Sequence, residues 1–131
     1  MQLDPRSYFM SFAVPHPAAR ELSYYEGPPE TGRLVGVALC DQTPKAWSAI
    51  YFFYDPAWAA RSIGTANVLF QIALARQMQI PHVYLGYLVE GSGSMAYKAR
   101  FQPQERLVGW PELDQEPVWV TAAPAPLASQ G

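Results

Sequence analysis

The sequence is short of charge, of cysteine and of long apolar runs, and each shortage removes a class of protein. Only 15% of its 131 residues are charged and the formal net charge is −2, which excludes the basic field of a non-specific nucleic-acid binder. A small basic patch that grips one end of an RNA stays compatible with that balance. The single cysteine, Cys40, excludes an intramolecular disulfide and a cysteine-cluster metal centre, so no metal ligands are assigned. It also makes a reducing, cytoplasmic setting the simple expectation. No apolar run reaches the length of a membrane span, and the N-terminus has no basic-then-apolar signal pattern, so no membrane partner is expected. No internal repeat is visible.

What is present is a globular composition. Half of the residues are hydrophobic, and the 13 prolines and 9 glycines fall mostly between periodic segments, where turns belong. The length fits one domain over residues 1–120, followed by an Ala/Pro-rich tail, 121–131, expected to be disordered.

Periodicity orders the elements. Asp4-Pro5 reads as a helix start, with Tyr8, Phe9 and Phe12 on one face before Pro15-His16-Pro17 breaks it. His16 reads as a solvated loop residue. Strands are expected at 21–26, at 33–39 and at 49–54, the first two forming an antiparallel hairpin and the second apolar enough to be central. Cys40, at the end of that second strand, reads as a small core residue. A long helix is expected at 62–79, with Ile63, Ala66, Phe70 and Ala73 inward, Leu69 and Ile72 widening that face, and Gln71, Arg76 and Gln79 on the other side. A further strand at 82–89 makes a βαβ unit with the third, so those two strands should be parallel neighbours. A short helix, 95–101, and two short strands, 107–110 and 117–120, complete the series.

The stretch 47–79 organises the rest. A buried aromatic strand ends at Asp55-Pro56, because proline has no N–H to give a ladder. Arg61-Ser62-Ile63-Gly64-Thr65-Ala66 then opens the long helix. Unpaired amides and the positive end of the helix dipole make such a point suited to an anion. Gly64 lets a phosphate approach the backbone, and Arg61 can close over it. The Arg-x-x-Gly-x-Ala pattern after a strand resembles the pyrophosphate loop of GNAT-fold acyltransferases. The element order likewise resembles a GNAT-like (acyl-CoA N-acyltransferase) α/β three-layer sandwich with a mixed sheet.

A more specific resemblance comes from several blocks in one order: Tyr51-Phe52-Phe53-Tyr54-Asp55-Pro56, Arg61-Ser62-Ile63-Gly64-Thr65, Tyr84-Leu85-Gly86-Tyr87, and Met95-Ala96-Tyr97-Lys98-Ala99-Arg100-Phe101-Gln102-Pro103. Together they resemble the C-terminal domain of aminoacyl-tRNA–protein transferases, the family of arginyl-tRNA–protein transferases and bacterial aspartate/glutamate leucyltransferases. Ser92 and the last block look more like the bacterial branch. Two departures stand out. The family's cysteine-rich N-terminal region has no counterpart here, which implies a fragment or a minimal relative working with a separate cysteine-rich partner. The loop before Met95, usually Ser/Cys-Pro-Lys/Arg-Met, is Ser92-Gly93-Ser94-Met95.

The resemblance implies transfer of leucine or arginine from aminoacyl-tRNA to the N-terminal amine of a protein beginning with Asp or Glu, in an N-degron pathway and without a cofactor. The ester is already activated, so the tasks are positioning, taking up the amine proton and stabilising the oxyanion. In that reading Arg61, Ser62, Gly64, Thr65 and Ala66 hold the donor's phosphates, with Arg100 on the RNA. Asp55 or Tyr54 accepts the amine proton, Lys98 or Arg100 pairs with the acceptor's acid, and Tyr87, Ser92 and Tyr97 line the substrate pocket. Two other classes remain: an acetyltransferase using acetyl-CoA on a small amine, and a non-catalytic module that keeps affinity for tRNA or a degron peptide.

Overall fold

Turn chemistry at residues 27–32 and 43–45 folds the first apolar runs back on one another. In the computed structural model, which describes residues 16–86 and 96–122, these runs form β1 (Ala19–Glu26), β2 (Arg33–Gln42) and β3 (Ala46–Tyr54). Both pairings are antiparallel. Each strand extends beyond the segment that its hydrophobic pattern marks, because ladder hydrogen bonding continues into flanking polar residues such as Asp41 and Gln42. The helix expected from Asp4 lies outside the described residues.

A 3₁₀ turn, Pro56–Arg61, leads from β3 into α1 (Ile63–Gln77), and β4 (His82–Tyr84) then pairs with β3 in parallel. The sheet order is β1-β2-β3-β4, an α/β arrangement with a mixed sheet. The expected parallel neighbours are therefore present. Their register joins Ala46 to His82 and Ser48 to Tyr84, earlier along β3 than the 51–54 segment. The part of the expected strand beyond Gly86 lies outside the described residues.

The chain divides into two compact units, residues 1–86 and 87–131. In the second, Ala96–Arg100 is a 3₁₀ helix, and β5 (Gln104–Leu107) pairs antiparallel with β6 (Trp119–Ala122). The two last strands thus sit two to three residues away from the expected 107–110 and 117–120. The segments anticipated as strands are apolar, yet much of each is exposed, Val108 at 51% and Val118 at 59% among them. Apolar content did not locate the pairing here.

The core of the first unit lies between the sheet and α1, around Ala38, Cys40, Trp47, Ala75 and Ile80, with Leu22, Tyr24, Phe52, Leu74 and Val83 packed against it. A bulge in β3 makes this possible. Leu39 pairs with Tyr51 but Cys40 pairs with Ala49, leaving Ile50 as the extra residue. A regular strand would put Trp47 and Phe52 on opposite faces. The bulge resets the alternation, and both reach the helix side. β2 is buried throughout residues 35–40, as a central strand should be.

The helix corrects the sequence reading. Its buried residues are Ile63, Asn67, Val68, Gln71 and Ala75. Of the face expected inside, Ile63 is buried, Ile72 is half-buried, and Ala66, Leu69, Phe70 and Ala73 are exposed. Gln71, expected outside, is 1% exposed. Arg76 and Gln79 do face outward. The physical reason is that apolar residues ring this helix, so burial alone does not choose a side. Polar partners in the sheet choose it.

The helix ends in a Schellman arrangement. Gln79 adopts φ 58°, its N–H donates to Arg76 O at 3.1 Å, and the Ile80 N–H donates to Ala75 O at 2.8 Å. Ile80 is buried against the core and fixes the chain's exit toward β4.

Candidate functional site

The strand-to-helix turn is built from Asp55 outward. Asp55 caps the 3₁₀ turn, its Oδ1 accepting from the Ala57 N–H at 2.9 Å, and Pro56 follows at the first helical position. Its Oδ2 pairs with the Arg33 guanidinium, and its own N–H donates to Val35 O at 2.8 Å. Asp55 therefore ties the end of β3 to the start of β2. Tyr54, beside it, is exposed and packs its ring 5.3 Å from that of Phe52.

Arg61 closes the 3₁₀ turn and is exposed, with its guanidinium 4.5 Å over the Trp58 ring. The partner lies three residues back, one turn in a 3₁₀ helix, where α-helical spacing does not look first. A guanidinium over a ring face can still donate hydrogen bonds from its edge.

Ser62 joins the two helical segments at φ 54° and ψ 39°, a left-handed conformation that costs a non-glycine residue about 1–2 kcal/mol. Its side chain does not cap α1, and its carbonyl accepts from the Ala66 N–H at 3.1 Å. The amides of Ile63, Gly64 and Thr65 precede the helix's own bonding pattern, so they carry the positive end of the dipole. Gly64 and Thr65 are half-buried, and Ala66 is exposed. Tyr54, Asp55, Arg61, Ser62, Gly64, Thr65 and Ala66 thus follow one another along the junction from β3 through the 3₁₀ turn into α1.

Tyr97, Lys98 and Arg100 lie in the second unit. Lys98 is half-buried and Arg100 exposed. Burial lowers the Lys98 pKa from its ordinary 10.5. Tyr97 packs edge-on against Phe101 at 6.2 Å, and the Lys98 carbonyl accepts from Gln104 Nε2 at 2.7 Å. Tyr87 and Ser92 lie outside the described residues.

Behind the turn runs a buried polar relay that the sequence reading missed. Trp47 Nε1 donates to Gln71 Oε1 at 2.8 Å, and the Cys40 thiol contacts the same oxygen at 3.3 Å. Gln71 Nε2 donates to Asn67 Oδ1 at 2.9 Å, which also accepts from the Tyr24 hydroxyl at 2.5 Å. Burial raises the Tyr24 pKa to about 12, helped by the neighbouring Cys40 charge. Burial likewise raises that of Cys40 to about 11; the Trp47 hydrogen bond pulls against the rise and Asp41 adds to it. A signal was present in the sequence. A tryptophan in a buried strand needs an acceptor, and Asn67 and Gln71 share a helix face at i, i+4.

His16 is exposed, with Nε2 3.4 Å from Asp41. Among the described residues no group of three or more His, Cys, Asp or Glu side chains could hold a metal, and no helix is long and apolar enough to cross a membrane.

The chain is thus an α/β protein with a mixed sheet and a strand-to-helix turn between two parallel strands, and comparison with known proteins gives its family. Residues 1–108 match the model of the family described as "Arginine-tRNA-protein transferase, C terminus", and the chain belongs to that family. It is 40% identical over 117 residues to an aspartate/glutamate leucyltransferase of Bradyrhizobium diazoefficiens, covering 83% of this chain and 45% of the relative. A protein of the same name from Nitrobacter hamburgensis is 49% identical over 87 residues, 65% of this chain and 34% of the relative. One from Mesorhizobium japonicum is 40% identical over 120 residues, 85% of this chain and 47% of the relative. The chain thus spans a third to a half of the length of these curated relatives.

Proposed function

We propose that this chain is an aminoacyl-tRNA-dependent transferase domain that moves leucine to the N-terminal amine of proteins beginning with Asp or Glu. The observation that carries the reading is the family match over residues 1–108, supported by the relatives' names, which favour leucine over arginine as the transferred group. We read the fold as GNAT-like. In support, β3 and β4 flank α1 as a parallel pair joined from Ala46 and His82 to Ser48 and Tyr84. A cytoplasmic setting suits a tRNA substrate.

In this reading the acceptor's α-amine attacks the ester carbonyl of the aminoacyl-tRNA. A C–N amide bond forms, the C–O ester bond breaks, and the amine's proton ends on the departing 3′-terminal ribose oxygen. An N-terminal amine has a pKa near about 7.7–8.0, so a useful fraction is neutral without a strong base. The acceptor group need only take the proton released after attack, a role for Asp55 or Tyr54. Arg61 and the amides from Ile63 to Ala66, with Ser62 and Thr65, hold the donor's terminal phosphates. Arg100 adds an outer contact to the RNA, and Lys98 meets the acceptor's carboxylate. Tyr97 is the residue of the second unit assigned to the substrate pocket.

The test is transfer itself. The chain, alone and with the N-terminal region of a relative added as a separate polypeptide, is incubated with leucyl-tRNA or arginyl-tRNA and with Asp-, Glu- or Ala-initiated peptides. Leucylation of the acidic peptides, lost in Arg61→Ala, is expected. No transfer from either tRNA in either arrangement would overturn the reading.

A further inference from the structure

The rolled position of α1 is not what apolar burial alone would select. Ala66, Leu69, Phe70 and Ala73 form a continuous apolar stripe, yet all four are exposed, Leu69 at 55% and Phe70 at 49%, with Phe70 keeping an edge-on contact to Tyr24 at 5.9 Å. Turning that stripe inward requires a roll of roughly 140° at 100° per residue. Asn67 and Gln71 occupy the inner face instead, at 5% and 1% exposure. They meet two strand side chains that would otherwise lose their acceptors: Trp47 Nε1 at 2.8 Å from Gln71, and the Tyr24 hydroxyl at 2.5 Å from Asn67. Buried polar groups of this kind specify one packing among several of similar apolar content.

That choice reaches the strand-to-helix turn. Asn67 lies one helical turn beyond Ile63, which is itself buried. Ser62, immediately before, is held left-handed, a state that persists only where its surroundings over-determine it. On the upstream side the hold comes from Asp55 through Ala57 and Arg33. On the downstream side the first polar anchor of α1 to the sheet is Asn67.

We propose that Asn67 and Gln71 are positioning residues: the relay Trp47–Gln71–Asn67–Tyr24 fixes the roll of α1, and through it the direction in which Arg61 and the amides of Ile63, Gly64 and Thr65 are presented. The use of that presentation, holding the phosphates of an RNA 3′ end, rests on the function proposed above. The fixing of the turn does not.

The test compares Tyr24→Phe and Gln71→Leu, each near-isosteric, with Val37→Ala, a buried truncation on β2 outside the relay. All are studied well below their unfolding transitions. The backbone amide resonances of Ile63, Gly64 and Thr65 are followed by NMR, and affinity is measured for a short RNA with an unpaired 3′ end. Tyr24→Phe and Gln71→Leu are expected to shift the first-turn amides and to weaken RNA binding by about three- to tenfold, whereas Val37→Ala does neither. Should Gln71→Leu not fold, Tyr24→Phe carries the measurement. First-turn amides that stay in place in the relay variants, or that move as far in Val37→Ala, would overturn the inference. A wild-type chain without RNA affinity would count against the proposed function, and the amide readout would still decide the inference.

Discussion

Gln71→Leu is the sharpest probe of what holds the first unit together. Leucine fills nearly the same volume, so the substitution leaves no large cavity and isolates the polar contribution. The Trp47 N–H, on a side chain only 1% exposed, then loses its 2.8 Å acceptor. An orphaned buried donor costs about 1–3 kcal/mol. Asn67 keeps the Tyr24 hydroxyl but loses the Gln71 amide, a smaller loss. A total of about 2–4 kcal/mol follows, a large part of the stability of a small domain. Trp47→Phe separates this from simple loss of side chain. In the wild-type background it removes both ring area and the hydrogen bond; in Gln71→Leu it removes ring area and relieves the orphan. The two changes should therefore couple by about 1–2 kcal/mol, the double variant being more stable than the sum of the single changes predicts. Urea unfolding followed by circular dichroism, with unchanged m-values, measures the cycle. Additivity within about 0.5 kcal/mol would refute the assignment of the relay as a coupled unit.

Alkaline stability should follow the two groups whose pKa burial raises. For Cys40, ordinarily 9.0 and about 11 here, the unfolded chain ionises first, so stability is whole below pH 9 and falls as pH rises toward 11; Cys40→Ala removes that part of the fall in a pH series of melting temperatures. Tyr24, raised from 10.0 to about 12, extends the decline to higher pH, and Tyr24→Phe should flatten it there. Gln79→Gly relieves a left-handed φ of 58° away from the turn at Ser62 and should raise stability by up to about 1 kcal/mol in urea, with RNA affinity unchanged. In the second unit, Lys98→Ala should slow transfer to Asp- and Glu-initiated peptides by about one to two decades relative to an Ala-initiated one, the loss expected from one charge-assisted bond. Arg100→Ala should instead weaken RNA binding in a salt-dependent way, and equal losses on all three peptides for Lys98→Ala would remove its assigned role.

The separation between those two side chains illustrates what the sequence could and could not convey. Around an α-helix Lys98 and Arg100 stand about 160° apart, whereas around the observed 3₁₀ helix, with about 3 residues per turn, they stand about 120° apart. On either helix type they face different ways. Strand existence, order and the antiparallel hairpin were legible because alternation and proline breaks act locally. The roll of α1 was not, since its apolar residues surround the axis and the decision belongs to Trp47 and Tyr24, which are distant in sequence. The bulge at Ile50 was invisible for a related reason: it is a property of the β2–β3 pair, and neither strand alone encodes it. The turn at residues 55–66 was legible as a strand–helix junction with an arginine, but the ion pair from Arg33 and the Trp58 stacking required the fold.

Cys40 gives the molecule a built-in clock for its own opening. It is the chain's single thiol, 2% exposed, and shares the Gln71 Oε1 acceptor with the Trp47 N–H. A thiol-reactive dye in solution can reach it only when α1 lifts from the sheet, so the labelling rate counts those excursions without any engineered probe. Run with and without a bound ligand, the same labelling would report how strongly occupation of the distant turn restrains the helix. Binding energy would then be read at a sulfur atom that the ligand never touches.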